Sequence, residues 1–173
     1  MIEFKYEPTS EQEGFFDFVR GDSFPWFLLR TLNDDHSPHQ FCHALMKRDA
    51  SGEPVEGRVN SQYYEYARNI FLDVCAVGGV EVNEIYRLAF NCTTYSQQRW
   101  VDPHKDHEFD HKVLIMYLNK FTYGQTFLMD DDKKVVETIL PEKYKAVIFD
   151  NCYHTHTFCE PDELRIVMVA TFI

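Results

Sequence analysis

Six short apolar segments separated by polar turns occupy the second half of the chain. They are Glu84–Asn91, Val113–Leu118, Thr126–Met129, Val135–Ile139, Ala146–Phe149 and Arg165–Ile173. The first alternates polar and apolar residues, and the second is a continuous apolar run, as expected of half-buried and fully buried strands. Asp, Lys, Pro and Gly fill the turns between them. Short strands at this spacing predict a β-sandwich or jelly roll.

The first half of the chain carries helical signals instead. The segment Ser10-Glu11-Gln12-Glu13 is typical of a capping box and predicts a short helix that buries Phe15, Phe18 and Val19. A second helix is predicted over Ser61–Val77, ended by Gly78-Gly79. Its apolar stripe at helical period consists of Tyr63, Tyr66, Ala67, Ile70, Phe71 and Val74.

The remaining segments of the first half are predicted to be non-helical. Phe24–Phe27 contains Pro25 and is expected to be extended, and residues 33–39 and 50–57 are predicted loops. With 173 residues the chain fits one domain, 1–173, with helical support over 1–80 and a β core over 81–173. The predicted fold class is therefore mainly β with N-terminal helices, an α+β arrangement.

Charge and cysteine content exclude several classes of protein. The net charge of −11 disfavours a nucleic-acid partner, which would require clustered Lys and Arg. The odd count of five cysteines, without a CxxC pair, argues against a disulfide framework or a zinc ribbon. We find no signal peptide and no apolar run long enough to span a membrane, so we expect a cytoplasmic protein. The oligomeric state is left open.

The triplet His104-Lys105-Asp106 is the strongest chemical signal in the chain. In an extended strand, residues i and i+2 face the same side, so His104 and Asp106 can reach one metal ion. The later segment Phe149–His156 supplies a third imidazole, and Arg165 follows it. Two imidazoles and one carboxylate cover one face of an octahedral Fe(II) ion and leave three positions open for chemistry.

Taken in order, these residues resemble the iron- and 2-oxoglutarate-dependent dioxygenases, in particular the short prolyl-4-hydroxylase-like members of bacteria and phages. The resemblance covers about residues 84–173 and extends more weakly into the first half. Its further matches are Tyr117-Leu118-Asn119-Lys120, Gly124-Gln125-Thr126-Phe127 and His154-Thr155-His156-Thr157. Where the family has Gly-Gly before the Thr, this chain has Tyr123-Gly124, a change confined to a turn. The resemblance implies a double-stranded β-helix, which is a jelly roll.

The resemblance also implies a ligand set for iron. His104, Asp106 and His154 are the expected ligands and catalytic residues. His156 is the alternative distal ligand, because it lies at i+2 from His154 and faces the same way. The His-Thr-x-Thr match favours His154, and the imidazole that is not a ligand is expected to support the site through hydrogen bonds.

For the cosubstrate 2-oxoglutarate, the resemblance implies a distal-carboxylate site at Arg165. A planar guanidinium can hold a carboxylate through two hydrogen bonds. Tyr117 is expected on the same carboxylate, and Thr126 and Asn91 are expected to add polar contacts. The implied reaction consumes O2 and 2-oxoglutarate and yields succinate, CO2 and a hydroxylated substrate, with ascorbate as a possible supporting reductant.

Three other functions are compatible with these residues. A zinc or cupin-like protein would use the same triad without a cosubstrate, and a non-catalytic metal-binding module would keep only the fold. A nucleic-acid demethylase would carry a second Arg six residues after the first, where this chain has Thr171.

The expected substrate is a prolyl or other peptidyl side chain. A small metabolite or a free amino acid is the alternative. The loops over residues 33–57 and 96–103, including Trp100, are predicted to form the walls of the site.

The other histidines are predicted to lie at the surface. His36, His39 and His43 fall in a polar region, and His107 and His111 fall in an acidic loop.

Overall fold

A computed structural model describes residues 1–29, 40–98 and 100–173. Within these ranges the chain forms two helices, α1 (Ser10–Arg20) and α2 (Tyr64–Val77). The strands are β1 (Ile2–Lys5), β2 (Phe27–Leu29), β3 (Gln40–Lys47), β4 (Arg58–Val59), β5 (Ile85–Thr93), β6 (Lys112–Tyr117), β7 (Thr126–Met129), β8 (Val135–Ile139), β9 (Lys145–Asp150), β10 (Tyr153–His156) and β11 (Arg165–Phe172). Neither helix is long and apolar enough to cross a bilayer.

The strands form two antiparallel sheets. The large sheet has the order β1-β9-β6-β11-β5-β3-β2, with β4 also paired to β3, and the small sheet has the order β10-β7-β8. Neighbours in space are distant in the chain: β11 lies between β6 and β5. The predicted mainly β fold with helices in the first half is confirmed.

The predicted strands agree closely with the observed ones. β7 and β8 have the predicted bounds, and β5, β6, β9 and β11 differ by at most two residues at either end. The first half departs from the prediction because β1 to β4 all join the large sheet. The predicted loop over residues 50–57 contains no helix or strand, whereas that over 33–39 lies outside the described residues.

Both helices begin at a different residue than predicted. The N-cap of α1 is Thr9, which forms the capping box with Gln12, so the prediction that placed the box at Ser10 was one residue late. Phe16 is fully buried in α1, while Phe15 and Phe18 are only partly buried. Helix α2 starts at Tyr64 rather than Ser61 and is followed, as predicted, by Gly78.

The two faces of the large sheet have different partners. One face packs against both helices in a core that includes Phe16, Phe71, Phe90 and Met168. The opposite face packs against the small sheet through Val113, Ile115, Tyr117, Leu128, Ile139, Val147, Phe149 and Val167. Because side chains alternate along a strand, each central strand contributes to both cores. The space between the two sheets is where the cavity described below lies.

Three histidines predicted at the surface are packed into the protein, which corrects that expectation. His43 is 5% exposed, and its ring nitrogens contact the Pro25 carbonyl oxygen and Ser61 Oγ, each at 2.7 Å. His111 is 4% exposed, and His107 is half-buried beside Thr171. His43 and His107 have local partners that replace water, whereas His111 contacts the Phe109 carbonyl oxygen through Nδ1 at 2.8 Å and its buried Nε2 has no partner among the described residues. His36 and His39 lie outside the described residues.

A polar network holds α1 against the segment that precedes β9. Glu13 accepts hydrogen bonds from Tyr144 Oη, from Lys143 Nζ (3.0 Å) and from Arg20 Nη2 (3.0 Å). Arg20 also donates to the Leu118 carbonyl oxygen at 2.9 Å. Burial alone would raise the pKa of Glu13, but these hydrogen bonds lower that pKa from 4.5 to about 2.

We expect Glu13→Gln to lower the free energy of unfolding by about 1 kcal/mol at neutral pH, a value reduced for the partial exposure of Glu13. Because the folded-state pKa is lowered, the carboxylate stabilises the fold above pH 4.5 and loses this effect as the pH falls toward 2. The difference between wild type and variant should therefore shrink over that interval in denaturant titrations. Glu7→Gln, an exposed change outside the network, is the control; a constant difference across the interval would contradict the assignment.

Candidate functional site

The segment that carries His104 is held on the edge of the small sheet. His104 and His154 form an antiparallel bridge in which each backbone N–H donates to the other carbonyl oxygen, at 3.1 and 2.9 Å. Trp100 forms a similar bridge with Thr157. Directly opposed residues in such a bridge project their side chains to the same side. The pairing therefore brings His104 beside His154, although 50 positions separate them in the chain.

His104, Asp106 and His154 form a compact group of potential metal ligands. One ligand atom from each lies within 4.8 Å of the others. The imidazole rings of His104 and His154 are 4.7 Å apart at their centroids, and His154 Nε2 lies 3.5 Å from Asp106 Oδ2. His104 is exposed, whereas Asp106 and His154 are buried, so the group sits where the interior opens to solvent.

The protonation states of the group suit a cation. Burial would raise the pKa of Asp106, but the neighbouring Arg87 and Arg48 lower it well below its ordinary value. Burial lowers the pKa of His154, which outweighs the opposite effect of Asp106. The carboxylate therefore stays ionised and the imidazole stays neutral, which are the forms that bind metals. Two imidazoles and one carboxylate fit an Fe(II) site with open positions.

The group borders a cavity of about 190 Å³ between the two sheets. Apolar side chains of the large sheet form one wall: Val113, Ile115, Val167 and Val169. Polar residues occupy the remainder: Gln40, Arg48, Arg87, Asn91, Thr93, Thr126, Thr155, His156 and Arg165. Val101 and Arg48 come from the segments predicted to form the walls of the site.

Arg165 lies at a second polar point of the cavity. It opens β11 opposite Thr93, is 3% exposed, and donates to the Gly124 carbonyl oxygen (3.2 Å) and to Thr126 Oγ1 (3.0 Å). Among the described residues, no carboxylate forms an ion pair with it. A buried guanidinium without an anionic partner is costly, so this position favours an anion.

Tyr117 and Thr126 lie next to Arg165. Tyr117 Oη hydrogen-bonds Thr126 Oγ1 at 2.8 Å, and the guanidinium carbon of Arg165 lies 5.5 Å from the Tyr117 ring centroid. Thr126 lines the cavity, whereas the fully buried Tyr117 lies behind it. Gly124 has a positive φ of 69°, and a Cβ there would meet the Phe121 ring at 2.5 Å. This turn thus requires glycine to present its carbonyl oxygen to Arg165.

His156 and Asn91 belong neither to the metal-ligand group nor to the hydrogen-bond partners of Arg165. His156 lies opposite Thr126 in the small sheet, with Nε2 3.5 Å from Thr93 Oγ1. It borders the cavity and is outside the group formed by His104, Asp106 and His154. Asn91 borders the cavity too, but its Oδ1 faces Arg87 Nη2 at 3.4 Å rather than Arg165.

Arg48 and Arg87, two arginines whose side chains contact Asp106, are not singled out by the sequence. Arg48 follows β3 and donates to the backbone and side-chain oxygens of Asp106, at 2.6 and 2.9 Å. Arg87 on β5 approaches the same Asp106 Oδ1 at 3.4 Å. Alternation along β5 places Arg87 on the same face as Asn91, but no local pattern indicates that Arg48 would meet them.

Comparison with known proteins supports the fold. No protein-family model matches the chain, and no curated protein matches it. Among solved structures, a 2OG-Fe(II) oxygenase family oxidoreductase from Burkholderia pseudomallei is similar with a TM-score of 0.69 and 12% identity, over 94% of this chain and 79% of that one. A Pseudomonas putida prolyl-4-hydroxylase is similar with a TM-score of 0.56 and 12% identity, over 98% and 90%.

Both similarities span nearly the whole chain. Because the sequence identity is only 12%, they establish the fold alone. They confirm the predicted jelly-roll fold. The chain therefore has the double-stranded β-helix fold found in 2-oxoglutarate- and iron-dependent oxygenases, including a bacterial prolyl-4-hydroxylase.

Proposed function

We propose that this protein is an Fe(II)- and 2-oxoglutarate-dependent dioxygenase. The observation that supports it most is one cavity bordered by two complementary groups. His104, Asp106 and His154 offer two imidazoles and a carboxylate, and Arg165 offers a buried cation with no carboxylate partner among the described residues. A zinc or other metal protein without a cosubstrate would have no use for that second group.

Each group has a defined part in the proposed reaction. Iron held by His104, Asp106 and His154 would supply the open coordination positions and oxidising chemistry for hydroxylation. Arg165, fixed by Thr126 and the Gly124 carbonyl, would bind and orient the distal carboxylate of 2-oxoglutarate. The valines of β6 and β11 keep this part of the cavity apolar, which strengthens the ion pair by excluding water.

The substrate that we propose is a prolyl or other peptidyl side chain, with a free amino acid or small metabolite as the alternative. The support is the resemblance of the triad, of Tyr117-Leu118-Asn119 and of Arg165 to prolyl hydroxylases. A prolyl-4-hydroxylase is also among the proteins of similar fold.

The proposed activity is tested by succinate release. The protein, Fe(II), ascorbate and 2-oxoglutarate should release succinate and CO2 under air, and a proline-containing peptide or free amino acid should increase the rate. Mass spectrometry of the accepted substrate should show one added oxygen. Succinate release that is unaffected by removal of iron would contradict the proposal, as would a protein that does not bind 2-oxoglutarate.

The distal ligand is tested by a pair of histidine variants. His154→Ala should lower metal affinity at least about 100-fold, because one of three protein ligands is lost. His156→Ala should retain metal binding and only reduce activity, since His156 lies toward Thr93. Calorimetric titration with Ni(II) separates the two, and the opposite order of effects would make His156 the ligand.

A further inference from the structure

The cavity contains two arginines, Arg48 and Arg87, that the proposed binding of iron and 2-oxoglutarate does not use. Both approach the same atom, Asp106 Oδ1, at 2.9 and 3.4 Å. Two guanidinium groups that reach one oxygen must lie close together. They therefore converge beside the metal-ligand group. Arg165 instead donates to the Gly124 carbonyl oxygen and to Thr126 Oγ1, elsewhere in the cavity.

The charges of the described residues that border the cavity do not balance without another anion. Among the described residues that border it, three are arginines and one, Asp106, is a carboxylate. A divalent metal ion and the two carboxylates of 2-oxoglutarate would cancel each other and leave this excess unchanged. The chain as a whole carries a net charge of −11, so the positive lining is a local feature that would attract an anion.

The contacts of both arginines leave capacity for a ligand. A guanidinium has five N–H donors. The contacts of Arg87 with Asp106 and Asn91 are both 3.4 Å, at the weak end of hydrogen bonding. The side chain of Arg48 is 42% exposed and that of Arg87 is 18% exposed. Arg48 thus lies toward solvent and Arg87 toward the interior, which makes the pair accessible from outside.

The two positive charges also act against each other. Both guanidiniums approach the same oxygen, Asp106 Oδ1, at 2.9 and 3.4 Å. A single carboxylate shared by two guanidiniums, and also needed by the metal, leaves the pair under-compensated. A carboxylate bound across both would relieve the repulsion and could accept hydrogen bonds from each.

We propose that Arg48 and Arg87 bind a carboxylate of the substrate and so hold the neighbouring C–H group beside the metal site. This inference rests on the proposed function and names the chemistry of its substrate. The carboxylate can come from a free amino acid or from an acidic residue next to the hydroxylated position of a peptide. Both sources present the same group to the same pair.

Binding without turnover is the direct test. The protein is loaded with Ni(II) in place of iron and with 2-oxoglutarate, and is titrated calorimetrically with matched acids and amides. One set consists of L-proline, L-leucine and L-lysine, each with its carboxamide; the other is acetyl-Ala-Pro-Glu-amide with its Gln counterpart. At least one acid should bind about tenfold or more tightly than its amide. The set in which this occurs identifies the source, and a failure of every acid to exceed its amide would overturn the proposal.

Variants assign the preference to the two arginines. Arg48→Gln and Arg87→Gln should each remove most of the preference for the acid. Affinity for Ni(II) should stay the same or rise, because a positive charge near the metal is lost. Arg58→Gln, an exposed change on β4 away from the cavity lining, should keep the preference. If the arginines only position Asp106, Ni(II) affinity would fall and the acid preference would persist, which contradicts the inference.

Two further readouts keep the result decisive. If a Gln variant does not fold, Arg48→Lys and Arg87→Lys keep the charge but lose the planar fork, and should weaken the preference partly. Succinate release measures the proposed function separately. If acids and amides stimulate succinate release equally, the anion site is contradicted and the proposed oxygenase activity stands. If the arginines bind acids but the protein never consumes 2-oxoglutarate, the anion site stands and the proposed oxygenase activity is contradicted.

Discussion

Replacement of His104 or Asp106 is expected to abolish iron-dependent consumption of 2-oxoglutarate. Each substitution removes one of the three protein ligands that converge within 4.8 Å. With two ligands left, neither the affinity nor the facial arrangement of the metal can be kept, so turnover should fall by at least about 100-fold. Succinate release with saturating Fe(II) measures the activity, and calorimetric titration with Ni(II) measures the metal affinity.

The two substitutions should differ in their effect on the fold. His104 is exposed, so His104→Ala should leave thermal unfolding nearly unchanged. Asp106 is the carboxylate that both Arg48 and Arg87 contact. Asp106→Ala leaves these two partly buried cations without that partner and should lower the stability of the fold. Asp106→Asn keeps the shape and a hydrogen-bond acceptor, and is the better variant for the chemistry.

Lys105→Ala provides the matched control within the same segment. Lys105 points away from the cavity, toward Asp131 at 3.0 Å and the ring of Tyr153. Its loss should leave metal binding and turnover within about twofold of wild type, as expected of a surface change. Full activity in either ligand variant with iron present would remove the triad from the mechanism.

Arg165→Met is expected to weaken 2-oxoglutarate binding by about ten- to a hundredfold while metal binding is retained. Hydrogen bonds to a charged group contribute about 1.5–3 kcal/mol, which corresponds to that loss. The distinguishing feature is stability. Arg165 is buried without a carboxylate partner among the described residues. In the absence of 2-oxoglutarate, Arg165→Met should therefore not lower the unfolding temperature.

Arg20→Met is the contrasting control for this prediction. Arg20 pairs with Glu13 and donates to the Leu118 carbonyl oxygen, so its role is structural. Its replacement should lower stability and leave the affinity for 2-oxoglutarate intact. Titration of both variants with 2-oxoglutarate, together with thermal unfolding, decides between the roles. Unchanged affinity in Arg165→Met would exclude Arg165 from the cosubstrate site.

The site lies between sheets whose strands come from distant parts of the chain. Thr93 and Arg165 are opposed on β5 and β11, and Thr126 and His156 are opposed on β7 and β10. These registers place Arg165, Thr126 and His156 around one cavity, and the valines of β6 and β11 form its apolar wall. A one-residue slip of β11 would turn Arg165 into the opposite core, so the hydrophobic alternation of that strand also protects the site.

Local sequence patterns determined most of the second half of the protein. Alternation and apolar runs predicted β5 to β9 and β11, because those strands bury side chains with the period of two that an extended chain imposes. The same period predicted that His104 and Asp106 could serve one ion. Gly78 after the stripe of α2 predicted its end, since glycine tolerates the helix terminus.

Only the tertiary structure decided what these residues meet. Strand β1 pairs with β9, and β3, which carries β2 and β4, pairs with β5; no local window contains these two long-range pairings. The burial of His43 depends on Pro25 and Ser61, and the convergence of Arg48 and Arg87 on Asp106 depends on three separate segments. Sequence periodicity fixes the side to which a residue points. The partner on that side is set by strand order and register, and these depend on the packing of the whole chain.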